Sequence, residues 1–196
     1  MEFLEGIMNA PSSQAPTPAT FSPARAATDA LAVSADPAAR DAFFSYLQHP
    51  LDTEVARTAV EDLADLGDER ALPLFERLGK NPKYADWKSL IARCSLFIRL
   101  RNAADPLTFL VEMDQPARDT LLALDVVDDR SGSYYYLLVR YAFSVADVLA
   151  ERLSAAELES ALARDDAQAV RFVLYIALAK RRIADATSPF TLRPPP

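Results

Sequence analysis

The chain contains very little cysteine, histidine and glycine, and each scarcity excludes a class of site. With one cysteine, Cys94, it can form neither an intrachain disulfide nor a thiolate metal cluster. Its one histidine, His49, is not paired with Cys94 by spacing, so we predict a buried, inert thiol. Four glycines leave little scope for a phosphate-cradling loop, and the glycine-rich nucleotide-binding and nucleophile-elbow motifs are absent. We therefore predict no catalytic residues, no cofactor and no metal, in a protein that is not an enzyme.

Long apolar runs and an excess of positive charge are also missing. No apolar run reaches the roughly 18 residues that a membrane span needs, and "YYYLLVRYAF" is interrupted by Arg140. The 28 acidic and 21 basic side chains give a net charge of −7, which argues against broad affinity for phosphate backbones. We therefore expect a soluble, cytoplasmic protein with no nucleic-acid partner and no membrane span.

Between two proline-rich ends, the sequence favours helices. Alanine and leucine are abundant and β-branched residues are sparse, which predicts an all-α fold. We expect a flexible Pro/Ala/Ser/Thr-rich tail over 1–36, one helical domain over 37–186 and a Pro-rich tail over 187–196. The first tail lacks the regions of a signal peptide, but its composition resembles the unstructured export signals of proteins delivered by bacterial injection machines. Specialised export stays open as an alternative to the cytoplasm.

The clearest local pattern is "DTEVARTAVEDLADLGDERALPLFERL", residues 52–78, in which two amphipathic runs meet at "LGD". The first run places an apolar stripe along one side of a helix: Val55, Ala59, Leu63 and Leu66. Asp52 is a plausible cap at its start, and Gly67 supplies a left-handed residue at its end. The second run is expected to end at Gly79, with Pro82 beyond it. The pattern predicts two antiparallel helices with a tight joint.

This segment resembles a HEAT repeat, in particular the short variety named after phycobilisome lyases. The resemblance depends on the acid-capped first helix with its Val-Ala-Arg core, then Leu-Gly-Asp, then Ala-Leu-Pro-Leu. It implies HEAT-like antiparallel helical hairpins stacked as a short right-handed solenoid, and an irregular helical bundle is the alternative. Weaker copies of the pattern follow. Each copy has an arginine at the corresponding position, and successive arginines are 36, 47 and 31 residues apart. These arginines are expected to be structural and to bridge to acids of the preceding repeat: Arg57, Arg93, Arg140 and Arg171.

Two features indicate where a partner binds. The outward positions of the first hairpin carry more acid than helix caps require, including Glu61, Asp65 and Glu69. Three consecutive tyrosines occupy 134–136, and because a helix turns about 100° per residue they cannot all face one core. We predict a non-enzymatic interaction scaffold or adaptor that binds a protein with a basic surface, with Tyr134 and Tyr136 as aromatic contacts.

Two other functions stay open at this point. Proteins with HEAT-type repeats include chromophore-lyase subunits and alkyl-base DNA glycosylases, and the acidic balance points away from the glycosylases, which need a basic groove. The first alternative is therefore a lyase-like or chaperone-like subunit that acts on a protein-bound prosthetic group. The second is an exported virulence protein or a virion-associated structural protein.

Overall fold

A computed structural model of the chain describes residue 30 and residues 37–122 and 133–187. Every regular element in these ranges is helical, which confirms the predicted all-α class. In chain order the described α-helices are α1 (Pro37–Gln48), α2 (Thr53–Asp65), α3 (Ala71–Lys80), α4 (Lys88–Asn102), α5 (Pro106–Glu112), α6 (Gln115–Leu121), α7 (Ser133–Arg152), α8 (Ala155–Leu162) and α9 (Arg171–Thr187). Two 3₁₀ segments, Pro82–Trp87 and Gln168–Val170, directly precede α4 and α9. Except for residues 30 and 187, the two expected tails lie outside the described residues.

The helices fall into two compact units, Met1–Asn102 and Ala103–Pro196, which divide the helical domain expected over 37–186. In the first unit, α2 and α3 both pack against α4, and α1 packs against α2. In the second unit, α7 and α8 both pack against α9, and α5 packs against α7. Each unit therefore contains a helix pair followed by a third helix that contacts both members. This recurrence confirms the all-α helical-repeat class and disfavours an irregular bundle.

Local signals explain the start and the end of α2. The Asp52 carboxylate accepts a hydrogen bond from the backbone N–H of Val55 at 3.0 Å, which satisfies one of the unpaired donors at the helix start. The predicted stripe is buried at Val55, Ala59 and Leu63. Gly67 has a φ of 69°, so its predicted left-handed conformation is confirmed. The side-chain amide of Asn102, at the end of α4, donates to the Gly67 carbonyl at 2.8 Å and ties this turn to α4.

The prediction that the second helix ends at Gly79 is wrong, because α3 includes Gly79 and continues to Lys80. The helix stops at Asn81, whose backbone is extended with a φ of −83° and a ψ of 122°. Asn81 precedes Pro82, and a proline disfavours helical conformation in the residue before it. The proline is therefore the stop signal.

Alanine at the two glycines is expected to change stability in opposite directions. At Gly67 the left-handed backbone makes Gly67→Ala unfavourable by about 1–2 kcal/mol. At Gly79 an added Cβ would meet Ile91 Cγ2 at 3.7 Å, an ordinary contact, so Gly79→Ala is expected to stabilise α3 by about 0.5–1 kcal/mol. Urea unfolding of both variants measures the two changes, and equal signs would contradict the assigned backbone conformations.

Candidate interaction surface

The outward side of α2 carries a row of carboxylates. Glu54, Glu61 and Asp65 stand at i, i+7 and i+11, which places them on one side of the helix. Glu54 and Asp65 are exposed and Glu61 is half-buried, while Glu69 is exposed in the turn before α3. We call Glu54, Glu61, Asp65 and Glu69 the acidic face. It contains the three acidic residues that the sequence predicted for partner binding.

Charge is strongly segregated along the first unit. Residues 51–70, which include α2, carry seven acidic and two basic side chains, a net charge of −5. Residues 71–102, which include α3 and α4, carry two acidic and seven basic side chains, a net charge of +5. On α3, Glu76 is paired with Lys80 at 2.6 Å. The acidic potential of the hairpin therefore comes from α2 and its following turn, and α3 does not extend it.

Buried Asp68 fixes the turn between α2 and α3. Its side chain accepts hydrogen bonds from the backbone N–H of Arg70 at 3.0 Å and from the Arg70 guanidinium at 2.7 Å. The side-chain hydrogen bond from Arg70 is the main cause that lowers the pKa of Asp68 below its ordinary value. Arg70 also pairs with Asp41 of α1 at 3.1 Å and lies 4.8 Å from the centre of the Phe44 ring. This network fixes the residues on both sides of Glu69.

The four arginines expected to be structural have different surroundings. Arg57 is exposed, and its Nε lies 4.0 Å from Glu61 of the same helix. Arg93 is buried on α4. Arg171, the first residue of α9, is half-buried, and among the described residues its Nε has no hydrogen-bond partner. The side chain of Arg140 lies outside the described residues.

The predicted tyrosine contacts lie in the second unit. Tyr134 and Tyr136 belong to the first turn of α7, which begins at Ser133. Their side chains lie outside the described residues. The acidic face belongs to the first unit, so the sequence-predicted binding residues come from two separate units.

A cleft of about 440 Å³ lies in the second unit, and its charged side chains already have structural partners. Arg152 donates to the carbonyl oxygens of Ala103 and Ala104 at 3.1 and 3.3 Å. Of the other charged residues in the lining, Asp105 caps α5 and Glu157 belongs to the capping box of α8. Arg164 is part of an ion pair. These side chains therefore hold α5, α7 and α8 together and cap the starts of α5 and α8. The cleft offers no activated nucleophile.

A smaller groove of about 360 Å³ runs between α3 and α4, lined by Leu72, Pro73, Glu76, Ile91, Ser95 and Arg99. The Ser95 hydroxyl donates to the Ile91 carbonyl at 2.8 Å, so it is engaged within α4. Across the described ranges, no group of His, Cys, Asp and Glu could hold a metal ion. The helices in those same ranges include none with the length and apolar character required to cross a membrane.

Residues 21–94 match the family model for HEAT repeats. The match includes α1, α2 and α3 and the first part of α4, and it contains the segment 52–78 with the HEAT-like pattern. Comparison with curated proteins and with solved structures gave no match. The HEAT-like character of this segment is therefore established.

Proposed function

We propose that this chain is a protein-interaction module whose acidic face binds a basic surface on a partner protein. HEAT repeats generally mediate protein–protein interaction, because stacked helix pairs form extended binding surfaces. The observation that carries the proposal is the concentration of seven acidic against two basic side chains in residues 51–70. Among the described residues, neither exposed end member of the acidic face, Glu54 or Glu69, is part of an ion pair.

Helix stability does not explain where these carboxylates stand. The C-terminal end of a helix carries partial negative charge, and a cation there contributes about 0.3–1 kcal/mol. The last turn of α2 contains no basic residue, and it does contain Asp62 and Asp65. Acids at this end do not gain from the helix dipole, so the dipole does not explain their position.

Clustered carboxylates attract a basic partner before contact and raise the association rate. Most of this increase in association rate comes from long-range attraction. It therefore decreases as added salt shortens the screening length, which is about 10 Å at 0.1 M. Tyr134 and Tyr136 complete the proposal as aromatic contacts, because tyrosine is frequent among the residues that dominate interface energies.

A charge-reversal variant tests the acidic face. Asp65→Lys combined with Glu69→Lys is expected to weaken capture of the partner at least tenfold, because two attractions become repulsions. Proteins from an extract of the source organism are captured on the immobilised chain and quantified by mass spectrometry, with elution by salt from about 0.05 to 0.5 M. The proteins lost in the variant are expected to be basic.

A matched control makes the same change of net charge at a site away from the acidic face. Glu112→Lys combined with Asp165→Lys alters two exposed carboxylates of the second unit. This control is expected to capture the same proteins as the unmodified chain. Equal capture by all three forms, with circular dichroism showing each folded, would mean that the acidic face only promotes solubility.

A further inference from the structure

Helix α9 is apolar on two opposite sides. One side, which includes Val173, Leu174 and Ala177, is buried within the second unit. On the other side, the residues at i, i+3, i+7, i+11 and i+14 form what we call the α9 stripe: Phe172, Tyr175, Ala179, Ile183 and Ala186. Tyr175 and Ile183 are 62% and 64% exposed, and Phe172 is 38% exposed. Contiguous exposed apolar side chains rimmed by polar residues mark interaction sites, so this stripe is a candidate interface.

The cations beside the α9 stripe are held by neighbouring helices. Lys180 pairs with Asp147 of α7, and its Nζ lies 4.8 Å from the centre of the Phe143 ring. Arg182 pairs with Glu159 of α8 at 2.6 Å. The stripe is therefore an uncharged patch with a charged rim, which is the usual composition of a protein interface.

We propose that a second copy of the chain covers the α9 stripe, with the two α9 helices antiparallel and crossing at Ala179. The stripe is symmetric about that residue, because Phe172 and Ala186 are each seven positions away and Tyr175 and Ile183 are each four positions away. In an antiparallel pair, each residue therefore lies opposite another member of the same stripe. Such self-complementarity is the requirement for a two-fold symmetric interface.

Side-chain size and charge both suit this register. Phe172 lies opposite the small Ala186, so a large side chain faces a small one. Tyr175 lies opposite Ile183, so an aromatic ring faces an aliphatic side chain. Two facing Ala179 side chains allow the helix axes to approach to about 8 Å. The rim cation Arg182 lies opposite the apolar Ile176 of the other copy, so like charges do not face each other.

The exposed area is sufficient for a weak dimer. An aromatic side chain offers about 150–250 Å², and the exposed parts of the stripe with Phe143 amount to on the order of 500 Å² per copy. Two copies then bury on the order of 1,000 Å², which is near the lower limit for a specific interface. The expected state is a concentration-dependent equilibrium between monomer and dimer.

Introduced thiols test the register directly. Because Cys94 is buried, Ala179→Cys places the one accessible thiol of the described residues at the proposed two-fold axis. Mild oxidation is expected to link this variant into a covalent dimer, since facing residues come within disulfide distance. Ala186→Cys alone should form no covalent dimer, because positions 186 of the two copies are about 21 Å apart in this register. An equimolar mixture of Phe172→Cys and Ala186→Cys should form the mixed dimer.

Sedimentation equilibrium of the full chain supplies the second measurement. The apparent mass is expected to rise with concentration from 21.6 kDa towards twice that value. Ala179→Glu should weaken dimerisation at least tenfold, because it sets two carboxylates against each other at the crossing. Ala184→Glu, the matched control on an exposed position outside the stripe, should dimerise like the unmodified chain.

Three results would overturn the proposal. The first is a monomer at every concentration together with no cross-linking at position 179. The second is efficient cross-linking of Ala186→Cys to itself, which would require parallel helices. The third is dimerisation that appears only after removal of residues 188–196, which would show that the chain's own end covers the stripe. All three concern the second unit and leave the test of the acidic face unaffected.

Discussion

Leu63→Ala is expected to lower the free energy of unfolding by about 3–4 kcal/mol. Leu63 is fully buried on α2, the helix that packs against both α1 and α4. Removing three carbon atoms there forfeits their transfer free energy and leaves a cavity that neighbouring helices cannot fill completely. In a domain with total stability of about 5–15 kcal/mol, a loss of this size shifts the unfolding midpoint clearly.

The measurement is urea unfolding followed by far-ultraviolet circular dichroism, and the same hairpin offers a matched control. Leu51, just before α2, is 62% exposed, so Leu51→Ala is expected to change stability by no more than about 0.5 kcal/mol. Similar losses in both variants would mean that α2 does not bury its predicted apolar stripe.

Asp68→Asn is expected to lower the free energy of unfolding by about 2 kcal/mol at neutral pH, which is the typical contribution of a hydrogen bond to a charged group. Asp68 is 8% exposed, and its side chain accepts hydrogen bonds from the Arg70 backbone and guanidinium. Asparagine keeps a similar shape but loses the carboxylate charge. The Arg70 guanidinium, which also contacts Asp41 on α1, would then bridge to one carboxylate instead of two.

The pH dependence of this loss has a definite sign. Hydrogen bonding from Arg70 lowers the pKa of Asp68 in the folded chain from its ordinary value of 3.8. The carboxylate therefore contributes its stability above pH 3.8, and that contribution is lost as the pH falls through the lowered pKa. The difference between the unmodified chain and Asp68→Asn should be constant from neutral pH to about pH 5 and shrink below about pH 4.

Urea midpoints across this pH range check the prediction, with Asp86→Asn as the control. Asp86 is exposed in the 3₁₀ segment before α4, so its substitution should change stability little at any pH. A difference between the unmodified chain and Asp68→Asn that stays constant down to pH 3 would show that the charge of Asp68 is not what stabilises the turn.

Local interactions explain which parts of the fold the sequence could predict. The Asp52 cap, the stripe of α2 and the left-handed Gly67 each depend on residues within about four positions, so the sequence pattern contains the necessary information. The family match to HEAT repeats agrees with that local pattern. The helix pair of residues 52–78 was therefore the most predictable part of the chain.

Long-range contacts explain what the sequence could not predict. Asp68 lies in the predicted joint between the two helices, but its partner Arg70 also reaches Asp41, 29 positions from Arg70. Arg57 and Arg93 stand in similar sequence motifs, yet Arg57 is exposed and Arg93 is buried, a difference that the motif does not contain. The α9 stripe could not be predicted from the sequence, because the side of α9 that stays uncovered depends on how α7 and α8 pack against it.

The opposite charges of residues 51–70 and 71–102 give the first unit a large permanent electric dipole. Neighbouring helix axes lie about 8–10 Å apart, so five charges of each sign at that separation exceed the summed peptide dipoles of α2, about 3.5 D each, several times. A dipole experiences a torque in the field of an approaching molecule and turns to a preferred orientation before contact. This alignment does not require a net charge, so it remains near the isoelectric point of about 4.8, with a dipole reduced by partial protonation of the carboxylates.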